Sequence, residues 1–423
     1  MRRILVIIAL LAALGAAAAV VVATRHPATA AAAPSEPLRG RPAAPADAAR
    51  LTGSLDAFGL SLLGRVSQTT SGNVVISPLS IHAVLTLLLN GAQGRTASEM
   101  RRALALGGLA TPAADQAWAD LIAAVQAGPR PAVQVADSLW LRHGVDFSPT
   151  FLAAARDYFA AGTLPLPDDP TQAAAAVNAW VDARTAGMIP RVVEPGFFNA
   201  ATVLAVVNTI HAKAAWRSAF DAAQTAPRPF TLADGTTVSV PTMDGALTGP
   251  VARTGACDAV ALATKGPLAA WVIVPRGDRT PESLLAGLSG GGLDKLERSA
   301  QTQPVALELP RLHTTFSAPD LKPELQALGM VDAFSPGDAD LQGIVAPGST
   351  VGRLYLARVV HKAVLDVREG GVEAAAATAG LVEATSAQEA PLTIRADRPF
   401  LFLLTDKRTR APLIMALISD PRA

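Results

Sequence analysis

Between two runs that read as buried strands lies a segment with almost nothing to bury, and it limits the folds open to this chain. It extends from Glu369 to Pro399 as EGGVEAAAATAGLVEATSAQEAPLTIRADRP. On its left stands VVHKAVLDV, residues 359–367, and on its right FLFLL, residues 400–404; both are apolar and rich in strand formers. Roughly thirty structureless residues between two core strands are uncommon in a compact domain and are usually functional or disordered. The alanines favour a helix. Apart from Val372, Leu381 and Val382, however, nothing large is present to form an apolar stripe, and propensity alone does not hold a short helix in water. The expectation is an exposed loop.

The rest of the chain is long enough to bury a large core. With 423 residues, half of them hydrophobic, and a formal net charge of +1, the composition is globular and gives no reason to expect a polyanionic partner. Basic residues are 30 Arg to 6 Lys, a bias that fits a GC-rich genome better than a function. Met1-Arg2-Arg3 followed by the apolar run 4–23 reads as an export leader, with Ala28-Thr29-Ala30 as a small-x-small cleavage site. The run is also long enough for a membrane anchor. Residues 1–30 are therefore assigned to a signal peptide or anchor, 31–50 to an Ala/Pro-rich linker and 51–423 to one domain. The expected location is secreted, or outside the membrane on an uncleaved anchor. A single cysteine, Cys257, excludes an internal disulfide.

Apolar positions 51, 55, 58, 60, 62 and 63 predict an amphipathic first helix. Next come a short strand in 73–76 and a buried helix started by Ser77-Pro78 and ended by Gly91. Thr96 to Glu99 reads as a capping box for a further helix. Residues 133–141 alternate as a strand, and 201–216 read as one long buried strand. Asp234-Gly235 signals a hairpin, and 269–277, 305–310 and 411–421 supply further strands. LSGGGL, 288–293, lacks the Lys-Ser/Thr of a phosphate loop and reads as a plain connection. Helices cluster early and strands late, which points to α+β.

Enzyme signatures are missing. There is no Gly-x-Ser-x-Gly elbow and no His-Glu-x-x-His, and none of the six histidines has a second at metal-ligand spacing. No cofactor or metal is called for. His361, in a buried-looking strand, reads as a core histidine that must find hydrogen-bond partners.

Glu369-Gly370-Gly371-Val372-Glu373-Ala374-Ala375-Ala376-Ala377-Thr378 resembles the hinge of the serpins, the serine protease inhibitors. The flanking strands and the segments around 73–106, 174–193, 201–216 and 305–344 resemble the same family, from about residue 51 to the C-terminus. The resemblance implies the serpin fold: a large central sheet, further sheets, about eight to nine helices and an exposed reactive-centre loop. It makes Glu369, Gly370, Gly371, Val372, Glu373, Ala374, Ala375, Ala376 and Ala377 the hinge. Ser77, Ser80, Asn208 and His361 become the shutter under the centre of the main sheet, and Trp216 the breach where the hinge enters. Counting from Glu369 as the family does places the reactive bond at Thr385-Ser386.

The implied partner is a serine protease of elastase-like preference, with a cysteine protease as the other candidate. No nucleic acid is expected, no membrane contact beyond the anchor, and the chain is expected to be a monomer until complexed. The implied mechanism is suicide inhibition, in which the cut loop enters the main sheet. The residues allow it. With Glu373 outward, Val372, Ala374, Ala376 and Thr378 point inward and are small or β-branched. The alternative is a non-inhibitory binding or chaperone protein of the same fold. Ala214, Ala416 and Leu417 depart from the family's usual residues.

Overall fold

The computed structural model describes residues 13–23, 42–127, 132–372 and 392–423. Their architecture is α+β, with two large sheets and nine α-helices among the described residues.

The first helix, α1 (Pro45–Thr69), buries Leu51, Leu55, Phe58, Leu60, Leu62 and Leu63, as their spacing requires. It starts at Pro45, inside the segment expected to be linker, because proline suits a first helical turn. Helix α2 (Pro78–Leu89) is buried on every side, and the Ser77 hydroxyl caps it by accepting from the Ser80 N–H. Helix α3 (Gly94–Ala103) corrects the capping box: it begins before Thr96 and has no side-chain cap. The two polar residues are used elsewhere. Thr96 accepts from the Asp340 N–H, and the Glu99 carboxylate accepts from the Val331 and Asp332 N–H groups. Helices α4 (Thr111–Val125) and α5 (Pro149–Phe159) complete the early cluster. Helix α6 (Pro170–Arg184) lies on the opposite face of the sheet and ends in a turn where Gly187 has φ +80°. Helices α7 (Pro281–Leu288) and α8 (Gly292–Ser299) flank the glycine-rich connection, which is a tight helix–helix turn, and α9 (Lys322–Ala327) follows.

The first sheet holds β1 (Ala13–Ala23), β3 (Val133–Arg142), β4 (Gly162–Leu166), β5 (Thr202–Ala212), β6 (Ala214–Ala215), β12 (Leu312–Ala318), β13 (Leu354–Arg368) and β14 (Gly371–Val372). Its order is β4-β3-β5-β1-β13-β14-β6, with β12 also on β13. The second holds β2 (Val74–Ile76), β7 (Ala226–Thr231), β8 (Thr237–Arg253), β9 (Cys257–Ala263), β10 (Leu268–Pro275), β11 (Gln301–Pro310), β15 (Leu392–Arg395), β16 (Phe400–Asp406) and β17 (Pro412–Ile418). Its order is β15-β11-β8-β9-β10-β16-β17-β2, with β7 on β8.

The strand expected over 201–216 is divided at Lys213, whose N–H leaves the ladder to bond the Ala132 carbonyl. A larger difference concerns the apolar leader. Residues 13–23, expected to lie outside the domain, form a central strand of the first sheet, antiparallel to β5 and β13. Among the described residues no helix is long and apolar enough to cross a membrane.

Two cores result. The main one lies between the two sheets and the early helices; the smaller one lies between the first sheet and α6, where Ala173, Val177 and Val181 share one apolar cluster with Ala16, Ala18, Val20 and Val22.

Candidate functional site

The site is the slot in the first sheet between β5 and β13. Every residue of β5 is buried, and its β-branched run makes a stiff wall. On the other side β13 buries Val359, His361, Ala363, Leu365 and Val367 toward the main core. The alternation of a strand sends Asn208 of β5 and His361 of β13 to that same face. Ala17 of β1 stands between them, directly opposite both.

Of the four residues expected to form the shutter, Ser77, Ser80 and His361 are joined here, while Asn208 stands across β1 and bonds Asp137 instead. His361 Nε2 accepts from the Ser77 N–H at 3.1 Å, and Ser77 Oγ donates to Ser80 Oγ at 3.1 Å. An accepting Nε2 leaves the ring proton on Nδ1. Burial pushes the His361 pKa down to about 3, with the Ala16 backbone opposing, so the ring is neutral. Asn208 donates from Nδ2 to Asp137 Oδ1 at 2.9 Å. Burial raises the Asp137 carboxyl to about 7 against that hydrogen bond. No well-formed hydrogen bond reaches Asn208 Oδ1 or His361 Nδ1, the latter having only the Ala16 backbone beside it. One is a donor and the other an acceptor, and both flank the slot.

At one end of the slot the first residues of the expected hinge pair as a strand. Gly371 pairs with Arg368 and Ala215, and Val372 pairs with Val367 and Ala214. Glu369, Gly370, Gly371 and Val372 are buried, where an exposed segment was expected from Glu369 onward. The reason is a dense set of bonds. Trp216, itself buried, donates its indole N–H to the Arg368 carbonyl at 2.9 Å and its backbone N–H to the Gly370 carbonyl at 2.9 Å. The Phe220 N–H bonds the Glu369 carbonyl at 3.0 Å. Burial alone would raise the Glu369 carboxyl; hydrogen bonds from Thr225 at 2.6 Å and Arg311 at 2.7 Å outweigh it and hold the group below its usual range.

Gly371 is the position that needs to be glycine. Its φ is +144°, and a Cβ there would stand 2.0 Å from the Ala214 carbonyl oxygen and 2.7 Å from the Ala215 Cα.

Glu373, Ala374, Ala375, Ala376, Ala377, Thr385 and Ser386 lie outside the described residues, as do residues 1–12 and 24–41 with the Ala28–Ala30 cleavage site. Sequence reasoning did not find Asp137, Thr225 or Arg311. Their roles come from partners 71, 144 and 58 residues away, and no local pattern marks such pairs. Cys257 is buried, and burial raises its thiol pKa, which disfavours the reactive thiolate.

A family model described as "Serpin (serine protease inhibitor)" matches residues 54–421. The chain is 31% identical over 371 residues to the leukocyte elastase inhibitor of Bos taurus, covering 83% of this chain and 94% of that protein. Among solved structures it resembles the native state of the thermophilic serpin tengpin, with TM-score 0.79 and 22% identity over 92% of this chain and 97% of that one. It also resembles human thyroxine-binding globulin complexed with thyroxine, with TM-score 0.76 and 24% identity over 89% of this chain and 99% of that one.

Proposed function

The chain belongs to the serpin family of serine protease inhibitors, and from that premise we propose that it is an inhibitory member that traps a protease covalently. The observation that carries the proposal is the first sheet's acceptance of an additional small-residue strand between β5 and β13, with the first residues of the expected hinge paired at one end of the slot.

In the proposed sequence the protease's serine Oγ attacks the Thr385 carbonyl carbon. The Thr385–Ser386 peptide bond breaks, the new Ser386 amine takes a proton, and Thr385 is held as an ester. The freed segment after Val372 then extends β14 down the slot. Each new ladder bond contributes about 1 kcal/mol net. An inserted strand of roughly 15 residues spans about 50 Å, enough to carry the protease across the molecule and distort its catalytic site before the ester is hydrolysed. The uncut protein is a kinetic trap whose lifetime is set by a barrier.

Threonine on the acyl side suits a small, apolar primary pocket, so the proposed target is elastase-like. Export of the protein, with loss of residues 1–30, completes the proposal. The bovine relative's name, leukocyte elastase inhibitor, agrees with this target class.

The test is to mix the leader-free protein with pancreatic elastase and look for a 1:1 complex that survives SDS. Thr385→Arg is expected to move complex formation from elastase to trypsin. Clean loop cleavage without complex, in both proteins, would favour the reading as a non-inhibitory binding or chaperone protein; one structural neighbour, thyroxine-binding globulin, is described as complexed with thyroxine.

A further inference from the structure

The strand filling the slot is the chain's own leader, and its register is that of the loop. Val372 stands opposite Ala214 on one side and Val367 on the other. Three residues further along the same ladder (372 + 3 = 375; 214 − 3 = 211; 367 − 3 = 364), an inserted Ala375 would face His211 and Val364. Leu14 faces those two residues now. The offset is therefore 361 (375 − 14), it is the same from both walls, and both strands would run in the same direction.

The side chains agree with the register. GAAAAVV, residues 15–21, would be replaced by AATAGLV, residues 376–382. Ala17, Ala19 and Val21 face the main core, while Ala16, Ala18, Val20 and Val22 face α6. The volumes at each position are similar, with one chemical difference. At the position of Ala17 the loop carries Thr378, whose hydroxyl would stand between Asn208 Oδ1 and His361 Nδ1, the two atoms that Ala17 leaves without a well-formed hydrogen bond. A hydroxyl donates once and accepts, so it can serve both. The leader thus fits the slot but leaves Asn208 Oδ1 unpaired and His361 Nδ1 with only the Ala16 backbone, and the loop's hydroxyl would serve both.

We propose that the slot is a docking site for the chain's own N-terminal strand, Ala13–Ala23, which holds the reactive loop's place in the sheet. Resting on the inhibitory reading above, this makes a chain that retains its leader a substrate of the protease, and a chain that has lost it a trap. Occupancy of the slot, rather than the loop sequence, then decides between the two outcomes. Leader removal becomes the activating event.

The full chain tests this. Hydrogen exchange should show the amides of 13–23 protected at least 100-fold over unstructured rates. Pancreatic elastase should cut the loop of the full chain with less than a tenth forming SDS-stable complex. Ala19→Glu in the same full chain puts a carboxylate into an apolar, fully buried position opposite Val206 and Val359. It should abolish the protection of 13–23 and raise the complex yield at least fivefold. Unprotected 13–23 amides in the unsubstituted chain would overturn the proposal, and this measurement decides even where Ala19→Glu does not fold. Equal complex yields from both chains, with protection lost only in the variant, would overturn the gating. Protection in one, loss in the other and complex from neither would support the docked strand and refute the inhibitory reading instead.

Discussion

Replacing Gly371 by alanine attacks the first residue pair of loop insertion and little else. The backbone there has φ +144°, and the added methyl would sit 2.0 Å from the Ala214 carbonyl oxygen. Holding a non-glycine residue in such a region costs about 1–3 kcal/mol, and relief of the clash requires β14 to separate from β6. A penalty of about 2–3 kcal/mol on the paired hinge corresponds to roughly a 30- to 160-fold slower entry into the slot. In the proposed mechanism the acyl-enzyme partitions between insertion, which traps it, and hydrolysis, which releases it. Slowing only the first branch should raise the ratio of cleaved product to SDS-stable complex by the same factor, and the number of inhibitor molecules consumed per protease with it. The assay titrates elastase with leader-free Gly371→Ala and counts SDS-stable complex against cleaved product. Gly348→Ala is the control: its φ is +85°, also strained for alanine, but nothing lies within 4 Å of the added Cβ and the slot is not involved. An unchanged stoichiometry for Gly371→Ala, or an equal rise for Gly348→Ala, would refute the idea that β14 is where insertion begins.

Three further outcomes follow from the same geometry. Asp137 has its folded pKa raised from 3.8 to about 7 by burial, so the folded state binds the extra proton between those values; its stabilising contribution is complete below 3.8 and is lost as pH rises through 7. Asp137→Asn should therefore gain stability relative to the parent by about 1.4 kcal/mol per pH unit across that window, and parallel urea midpoints at pH 4.5 and 7.5 would contradict it. Arg311→Ala leaves the Glu369 carboxylate with Thr225 alone; because Arg311 is partly exposed, the loss should be about 1 kcal/mol, and an unchanged urea midpoint would show that the hinge is not anchored there. Cys257 should resist an aromatic disulfide reagent in the native protein and react fully after unfolding, since it is buried and its thiol pKa is raised; rapid native labelling would contradict its packing.

Much of the fold is written locally. The apolar spacing in α1, the Ser77-Pro78 start of α2 and the continuous hydrophobic runs of β5 and β13 each follow from one stretch of chain, because propensity, capping and periodicity act over a few residues. The same holds for the small-residue hinge, whose composition already permits insertion. Polar residues mislead where their use is distant. Thr96 and Glu99 have the spacing of a cap, yet they bind backbone groups more than 200 residues away.

By itself the sequence determined the resemblance to the serpins and, through it, the expectation of a large sheet, a polar cluster beneath and a loop whose small residues permit entry. Only the tertiary structure decided what fills the slot. An apolar run of about twenty residues suits a signal peptide, a membrane span or a central strand equally well, since hydropathy has no direction and no partner. The register with Asn208 and His361 made it a strand, because pairing is a relation between segments that lie far apart along the chain.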